Sequence, residues 1–252
     1  MIKYGLIALF SIGCLAQQQQ RKLVWQEDFN GGKLNENNWN FELGDGCPNV
    51  CGWGNNEKQV YTKNNHALRD GNLIITIKKD DNNYTSTRIT TAGKKEFQYG
   101  RMEVRAKIPI GKGIWPAFWM LGSNIKKVGW PLCGEIDILE YVGREPDKVF
   151  TSLHTQDSHG NTINTKVTEI KSIEEGFHVY SIDWTKDKIE FFVDQHSVYV
   201  FAPEVKNEAT WPYNQPFYFI INTAVGGNFG GHDIEDSIFP QQFVIDYIKV
   251  YQ

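Results

Sequence analysis

The segment Glu135-Ile136-Asp137-Ile138-Leu139-Glu140 sets three carboxylates in six residues, among aliphatic neighbours that need burial. A packed core has no use for such a cluster, so its simplest purpose is chemical. Side chains alternate along a strand, which sends Glu135 and Asp137 to one face and Ile136 and Ile138 into the core. Glu140 then falls on the wrong parity. One extra residue between Asp137 and Glu140, taken up as a β-bulge, returns it to the carboxylate face, and bulges are frequent beside active sites. Two glutamates so placed stand on the order of 5 Å apart. At that separation one carboxylate attacks an anomeric carbon and the other handles the proton, as in retaining glycosidases. An exposed acidic strand is the plainer alternative, but it leaves Ile136, Ile138 and Leu139 without a place.

Such a strand needs a sheet, and the chain supplies one. Beyond the N-terminus nearly every apolar run is short, rich in β-branched and aromatic residues, and bounded by Gly, Asn, Asp or Pro. The runs at 73–78, 97–107, 178–184, 189–193, 217–222 and 243–251 are of this kind. Only 172–175 and 205–209 offer short helical candidates. The pattern predicts an all-β sandwich or jelly roll in one domain, with no internal repeat and no linker. In 101–107, Arg101, Glu103, Arg105 and Lys107 share one face and Met102, Val104 and Ala106 the other. The charged face is either a solvent surface or, beside the acids, the wall of a cleft for an extended polar ligand.

Aromatic side chains add to the cleft reading. Trp115, Ala117 and Trp119 share a strand face, while Phe118 and Met120 take the opposite, core-facing parity. Indole faces with a polar edge suit sugar rings, so at least one of the two tryptophans is expected at the cleft rather than in the core. Gly52-Trp53-Gly54-Asn55-Asn56-Glu57 is either a rim loop that binds hydroxyls or a turn using Asn and Gly for backbone reasons. His154 either orients a catalytic carboxylate or is a satisfied buried histidine. The glycine-rich stretch at 226–231 is no phosphate loop, since no helical pattern follows it.

The formal net charge of -4 arises from interspersed charges without a long basic run, which argues against nucleic acid and anionic membranes as partners. Lys3, an apolar stretch at 4–15 and Ala16 have the layout of a signal peptide over 1–16, leaving a domain at 17–252 and a secreted, extracellular protein. That stretch is too short for a membrane span, and no later segment substitutes for it. A lipoprotein signal through Cys14 fits less well, because Ser11 stands where an aliphatic residue is usual. Cys47, Cys51 and Cys133 remain, an odd number; Cys47 and Cys51 could close a small loop, and no second ligand pair supports zinc.

Taken together, these residues resemble glycoside hydrolase family 16, in particular its laminarinase-like endo-β-1,3-glucanases. The resemblance runs from Val24-Trp25-Gln26-Glu27-Asp28-Phe29 to the segment 244–251. Its most specific parts are 52–57, Tyr99-Gly100-Arg101-Met102-Glu103, Gly113-Ile114-Trp115-Pro116-Ala117-Phe118-Trp119 and 134–140. It implies a β-jelly-roll sandwich of two curved antiparallel sheets with the substrate cleft across the concave one. It further implies Glu135 as nucleophile, Glu140 as acid/base and Asp137 as their assistant. Trp115 and Trp119 become sugar platforms, Asn56 and Arg101 hydroxyl partners, and His154 a neighbour of the acids.

No cofactor is required for catalysis in such an enzyme. A structural calcium ion is implied at Asp28, Gly71 and Asp246, although the usual Asp-Glu order is reversed here as Glu27-Asp28. Phe229 departs from the tryptophan that many laminarinases carry in the glycine-rich loop. The expected partner is a β-glucan polysaccharide, bound by a monomer. Mixed-linkage glucan, agar or carrageenan are rival substrates, and a non-catalytic β-glucan-binding protein is a rival of another class.

Overall fold

Alternation builds the molecule. In the strand Gly100–Lys107, Met102, Val104 and Ala106 are fully buried, and in Ile114–Gly122 the same holds for Phe118 and Met120. These strands lie in different sheets, and their apolar faces meet in one core with Ile136, Ile138, Phe219 and Ile248. Apolar area removed from water contributes roughly 25 cal/mol per Å², so this interlayer is the main source of stability. A computed structural model describes residues 21–252; the expected signal peptide at 1–16 lies outside the described residues.

The first sheet has eight strands. Its order is Thr165–Glu169, Lys148–His154, Glu135–Glu140, Ile114–Gly122, Phe217–Val225, Arg88–Thr90 and Asn40–Glu42, with Glu96–Phe97 also paired to Phe217–Val225. All of its pairings are antiparallel. The second sheet has ten strands, centred on Gly100–Lys107, Gln241–Tyr251 and Asn72–Asp80. Gln59–Tyr61 and Asn83–Ser86 at its margin run parallel to each other. The chain thus forms the expected all-β jelly-roll sandwich, with the acid strand near the middle of the smaller sheet.

The two helical candidates do not form helices. Residues 172–175 and 205–209 are turns and bends, and buried Ile173 belongs to the core cluster. Single helical turns occur instead at Ile125–Val128 and Gly227–Gly230, both beside the acid strand's sheet. The second of these falls within the glycine-rich stretch. Gly227 there has φ +83 and lies so close to Asn55 that a Cβ would sit 2.7 Å from its carbonyl oxygen. Only glycine fits that approach.

Candidate active site

Glu135 faces His154 across the ladder and Asp137 faces Ser152, whereas Glu140 faces Phe150. Residues 138 and 139 therefore stand opposite Thr151 alone, and the register on the other side also shifts, from Phe118–Leu139 to Trp119–Asp137. This is the bulge that the spacing of the acids requires. Ile138 and Leu139 both enter the core, and Glu140 rejoins the parity of Glu135 and Asp137. Across the next strand that face carries Ala117 and Trp119, then Asn222 and Arg88.

The acids are largely removed from water: Asp137 is 3% exposed and Glu140 8%. His154 Nε2 stands 3.2 Å from Asp137 Oδ2 and 3.8 Å from Glu135 Oε1. One polar atom from each of Glu135, Asp137 and His154 falls within 4.8 Å of the others. Asp137 Oδ2 is buried and meets His154 Nε2 in a contact less well directed than an ordinary hydrogen bond. Burial, then the charge of Asp137, pushes Glu135 up to about 8. The same two causes, in the same order, hold Glu140 well above the usual carboxylate range. Like charges in a dry site cannot all ionise, so the cluster shares protons.

His154 is set by its loop. Gly160 donates its backbone N–H to Nδ1 at 3.1 Å, which requires that nitrogen to be unprotonated and puts the proton on Nε2, toward the acids. Burial disfavours a second proton, but the hydrogen bond and charge of Asp137, with Glu135 and Glu140 behind it, push the ring up to about 9. The Gly160 contact opposes that second proton and favours the neutral Nε2–H tautomer.

Indole N–H groups serve both glutamates. Trp115 Nε1 donates to Glu140 Oε1 at 3.0 Å and Trp130 Nε1 to Glu135 Oε2 at 2.7 Å. Phe229 meets Trp115 edge-on, with ring centroids 5.3 Å apart. Trp119 instead donates to Asn222 Oδ1 at 2.8 Å, and Asn222 passes the network to the Tyr61 hydroxyl at 3.0 Å. Tyr61 leads on to buried Glu57, which Gln59 and Asn55 also hydrogen-bond. Desolvation raises Glu57. At the rim, Asn56 donates to Asn228 Oδ1 at 2.8 Å and Asn228 N–H bonds Asn55, so the loop at 52–57 is tied to the glycine-rich loop.

Arg101 is a correction. It lies on Gly100–Lys107 in the ten-stranded sheet, and alternation sends it to that sheet's outer face, with the core between it and the acids. There it bonds Glu103 at 3.1 Å, approaches Asp183 at 3.6 Å and stacks over Phe192. The charged face at 101–107 is the solvent side of the opposite layer. Arg88 is the arginine on the acids' own sheet. Paired with Glu42, its guanidinium lies 4.4 Å from the Trp53 ring and 4.9 Å from the Trp119 ring.

The implied calcium ligands are gathered by register. Glu27 pairs with Ile248 and Leu73 with Ile245, which brings Asp28 and Gly71 to either side of the gap at Asp246. Yet Asp246 is ion-paired with Arg105, and Asp28 Oδ1 accepts the Asn30 N–H. Calcium takes six to eight oxygens, whereas among the described residues the Asp246 carboxylate is engaged by a cation. The three residues are neighbours here, with the Asp246 carboxylate turned to Arg105, and no chemical step draws on them.

The family model of glycosyl hydrolases family 16 matches residues 53–249, a span that takes in the acids, the rim loop and the glycine-rich loop. The chain belongs to glycosyl hydrolases family 16. Within family 16 its similarity is to laminarinases: the crystal structure of a laminarinase from Flavobacterium sp. UMI-01 is 72% identical with a TM-score of 0.91, covering 92% of this chain and 100% of that one. A beta-glucanase of Rhodothermus marinus is 37% identical over 92% of this chain and 85% of its own. A glucan endo-1,3-beta-glucosidase of Cryptopygus antarcticus is 36% identical over 90% of each.

Sequence reasoning missed Trp130, Asn222 and Arg88. Trp130-Pro131 precedes the acid strand in a glycine-punctuated loop, a signal that could have raised it. Asn222, with Thr223 after it, interrupts an otherwise apolar strand, which also marks it. Arg88 carries no local signal.

Proposed function

We propose that the chain is an endo-β-1,3-glucanase that cleaves laminarin-type β-glucans by double displacement with retention of configuration. The observation that carries this reading is the bulge that puts Glu135 and Glu140 on one face, each held by its own indole donor. Glu135 attacks the anomeric carbon as Glu140 gives its proton to the departing glycosidic oxygen, leaving a covalent glycosyl ester on Glu135. Glu140, now a carboxylate, takes a proton from water, whose oxygen displaces Glu135 and restores both acids. The division of labour follows the electrostatics. Glu140, the more buried of the two, is strongly disposed to keep its proton, while the Trp130 donor favours an ionised Glu135.

The choice of a β-1,3-glucan rests on the names of the relatives and on the rim. Trp53 and Trp119 flank Arg88, and the loop at 52–57 is fixed to the glycine-rich loop, which together give indole faces and amides along one side of the acids. The pattern at 1–16 and the Cys47–Cys51 disulfide favour an oxidising, extracellular destination. No helix among the described residues is long and apolar enough to cross a membrane.

The test is initial rate and product distribution on laminarin, mixed-linkage β-glucan and agarose at equal mass concentration. Faster cleavage of agarose, or glucose alone from laminarin, would overturn the assignment. A Glu135→Gln variant as active as the wild type would remove the mechanism too.

A further inference from the structure

Trp130 is 46% exposed, more than any other tryptophan among the described residues, yet its polar edge points inward to Glu135. Its loop is firmly held. The Cys133 N–H bonds the Gly129 carbonyl at 3.0 Å, the Gly134 N–H bonds Pro131 at 3.0 Å, and Gln215 Nε2 bonds the Cys133 carbonyl at 2.9 Å. The ring is braced as well: His159 meets it edge-on at 5.3 Å, and the His154 ring lies 6.0 Å away. A surface residue kept only for packing would not need its N–H fixed 2.7 Å from a half-buried carboxylate.

We infer that Trp130 is a positioning residue for the nucleophile, engaging Glu135 Oε2 so that Oε1 is the oxygen that attacks. This rests on the retaining reading above. One carboxylate oxygen forms the bond to the anomeric carbon; the other becomes the ester carbonyl, and it regains charge when water displaces the sugar. A fixed donor at Oε2 stabilises the charged carboxylate before attack and again as it departs, with no reorganisation at either step. Among the described residues no other group facing Glu135 does this. Asp137 and Glu140 on its own strand are acids, and Cys133 beside it is a buried thiol. From the neighbouring strand, His154 reaches toward Oε1 at 3.8 Å. Tyr213 donates to the Glu135 main-chain oxygen, and Tyr218 lies on the strand beyond.

The test uses a 2-deoxy-2-fluoro-β-1,3-glucobiosyl fluoride, whose C1–F bond breaks as the Glu135 ester forms. Fluoride leaves without a proton, so the labelling rate isolates the nucleophile from Glu140. Trp130→Phe keeps an aromatic ring and removes the donor; Trp130→His returns an N–H near the same place. Expected are labelling at Glu135 in the wild type and a loss in Trp130→Phe of about tenfold or more at pH 7. The acid limb of its rate profile should move up by about one pH unit, with recovery in Trp130→His. Labelling of Trp130→Phe at the wild-type rate with an unmoved limb would overturn the inference, as would equal losses in both variants confined to probe affinity. A wild type that is never labelled would instead sink the retaining reading, a result visible before any variant is made.

Discussion

The indole nitrogen of Trp115 lies 3.0 Å from Glu140 Oε1, so this residue's polar edge is committed to the acid/base and only its ring is left for a sugar. A donor at that oxygen favours the ionised carboxylate, against the burial that raises it. Trp115→Phe should therefore shift the alkaline limb of kcat/KM to higher pH, because Glu140 then holds its proton longer. It should also lower kcat about tenfold, since the acid loses its orientation. A pH–rate series on laminarin checks both; an unmoved limb with only KM raised would mean that Trp115 acts as a platform alone.

Glu135 makes the site expensive to fold. Its carboxyl rises from 4.5 to about 8 on folding, chiefly through burial. Between those values the native protein binds a proton that the unfolded chain has released, so stability falls as pH rises through the window. Glu135→Gln removes the penalty. The variant should melt above the wild type at pH 8, at about 2–4 °C for each kcal/mol gained, and the gain should vanish toward pH 4.5. Thermal melts of both proteins at the two pH values decide it, and a variant less stable at pH 8 would refute the burial argument.

Much of this was legible because strand chemistry is local. Period-two alternation and the need to bury Ile136, Ile138 and Leu139 place the acids and require the bulge without knowledge of any partner strand. Alternation says in or out, but not which sheet, so it does not test the role beside the acids that the resemblance implies for Arg101, which lies across the core from them. Arg88 reaches the site only through its pairing with Asn222, a contact between distant parts of the chain. Trp130 depends on a loop closed by Gln215 and packed at Gly134 against Pro212, and no short-range pattern encodes that. At 172–175 a turn replaces the helical candidate, and Glu174 there accepts from the Tyr141 hydroxyl and the Asp147 N–H, contacts made by tertiary position rather than helix periodicity.

Inserting one alanine between Leu139 and Glu140 tests the bulge directly. The bulge takes up one extra residue, and a second puts the alanine on the acid face and carries Glu140 to the core face. Activity should fall by roughly 10²–10⁴ or more through loss of acid–base assistance, while Glu135 remains aimed. The fluoride probe, which needs no acid, should still label Glu135 in the insertion protein if it folds, as far-UV circular dichroism would show. Full activity toward laminarin would mean that Glu140 is positioned by something other than the bulge.

Arg88 supports the last prediction, which separates sugar binding from chemistry. Its guanidinium lies between the Trp53 and Trp119 rings and is paired with Glu42, while Trp119 is pinned through Asn222 to Tyr61. The arrangement fixes two indoles beside the acids without touching either catalytic glutamate. Lysine keeps the charge but not the planar group that stacks on both rings, so Arg88→Lys should release the Trp53 loop and blur the platform at Trp119. Cation–π contacts of this kind are worth about 0.5–2 kcal/mol, which predicts a KM for laminarin raised roughly 2- to 30-fold. kcat should stay near the wild-type value, since the acids, Trp115 and Trp130 are untouched. Steady-state kinetics on laminarin, with labelling by the fluoride probe at saturation, measures the two effects apart. A fall in kcat with KM unchanged would place Arg88 in the chemistry rather than in the wall that holds the sugar.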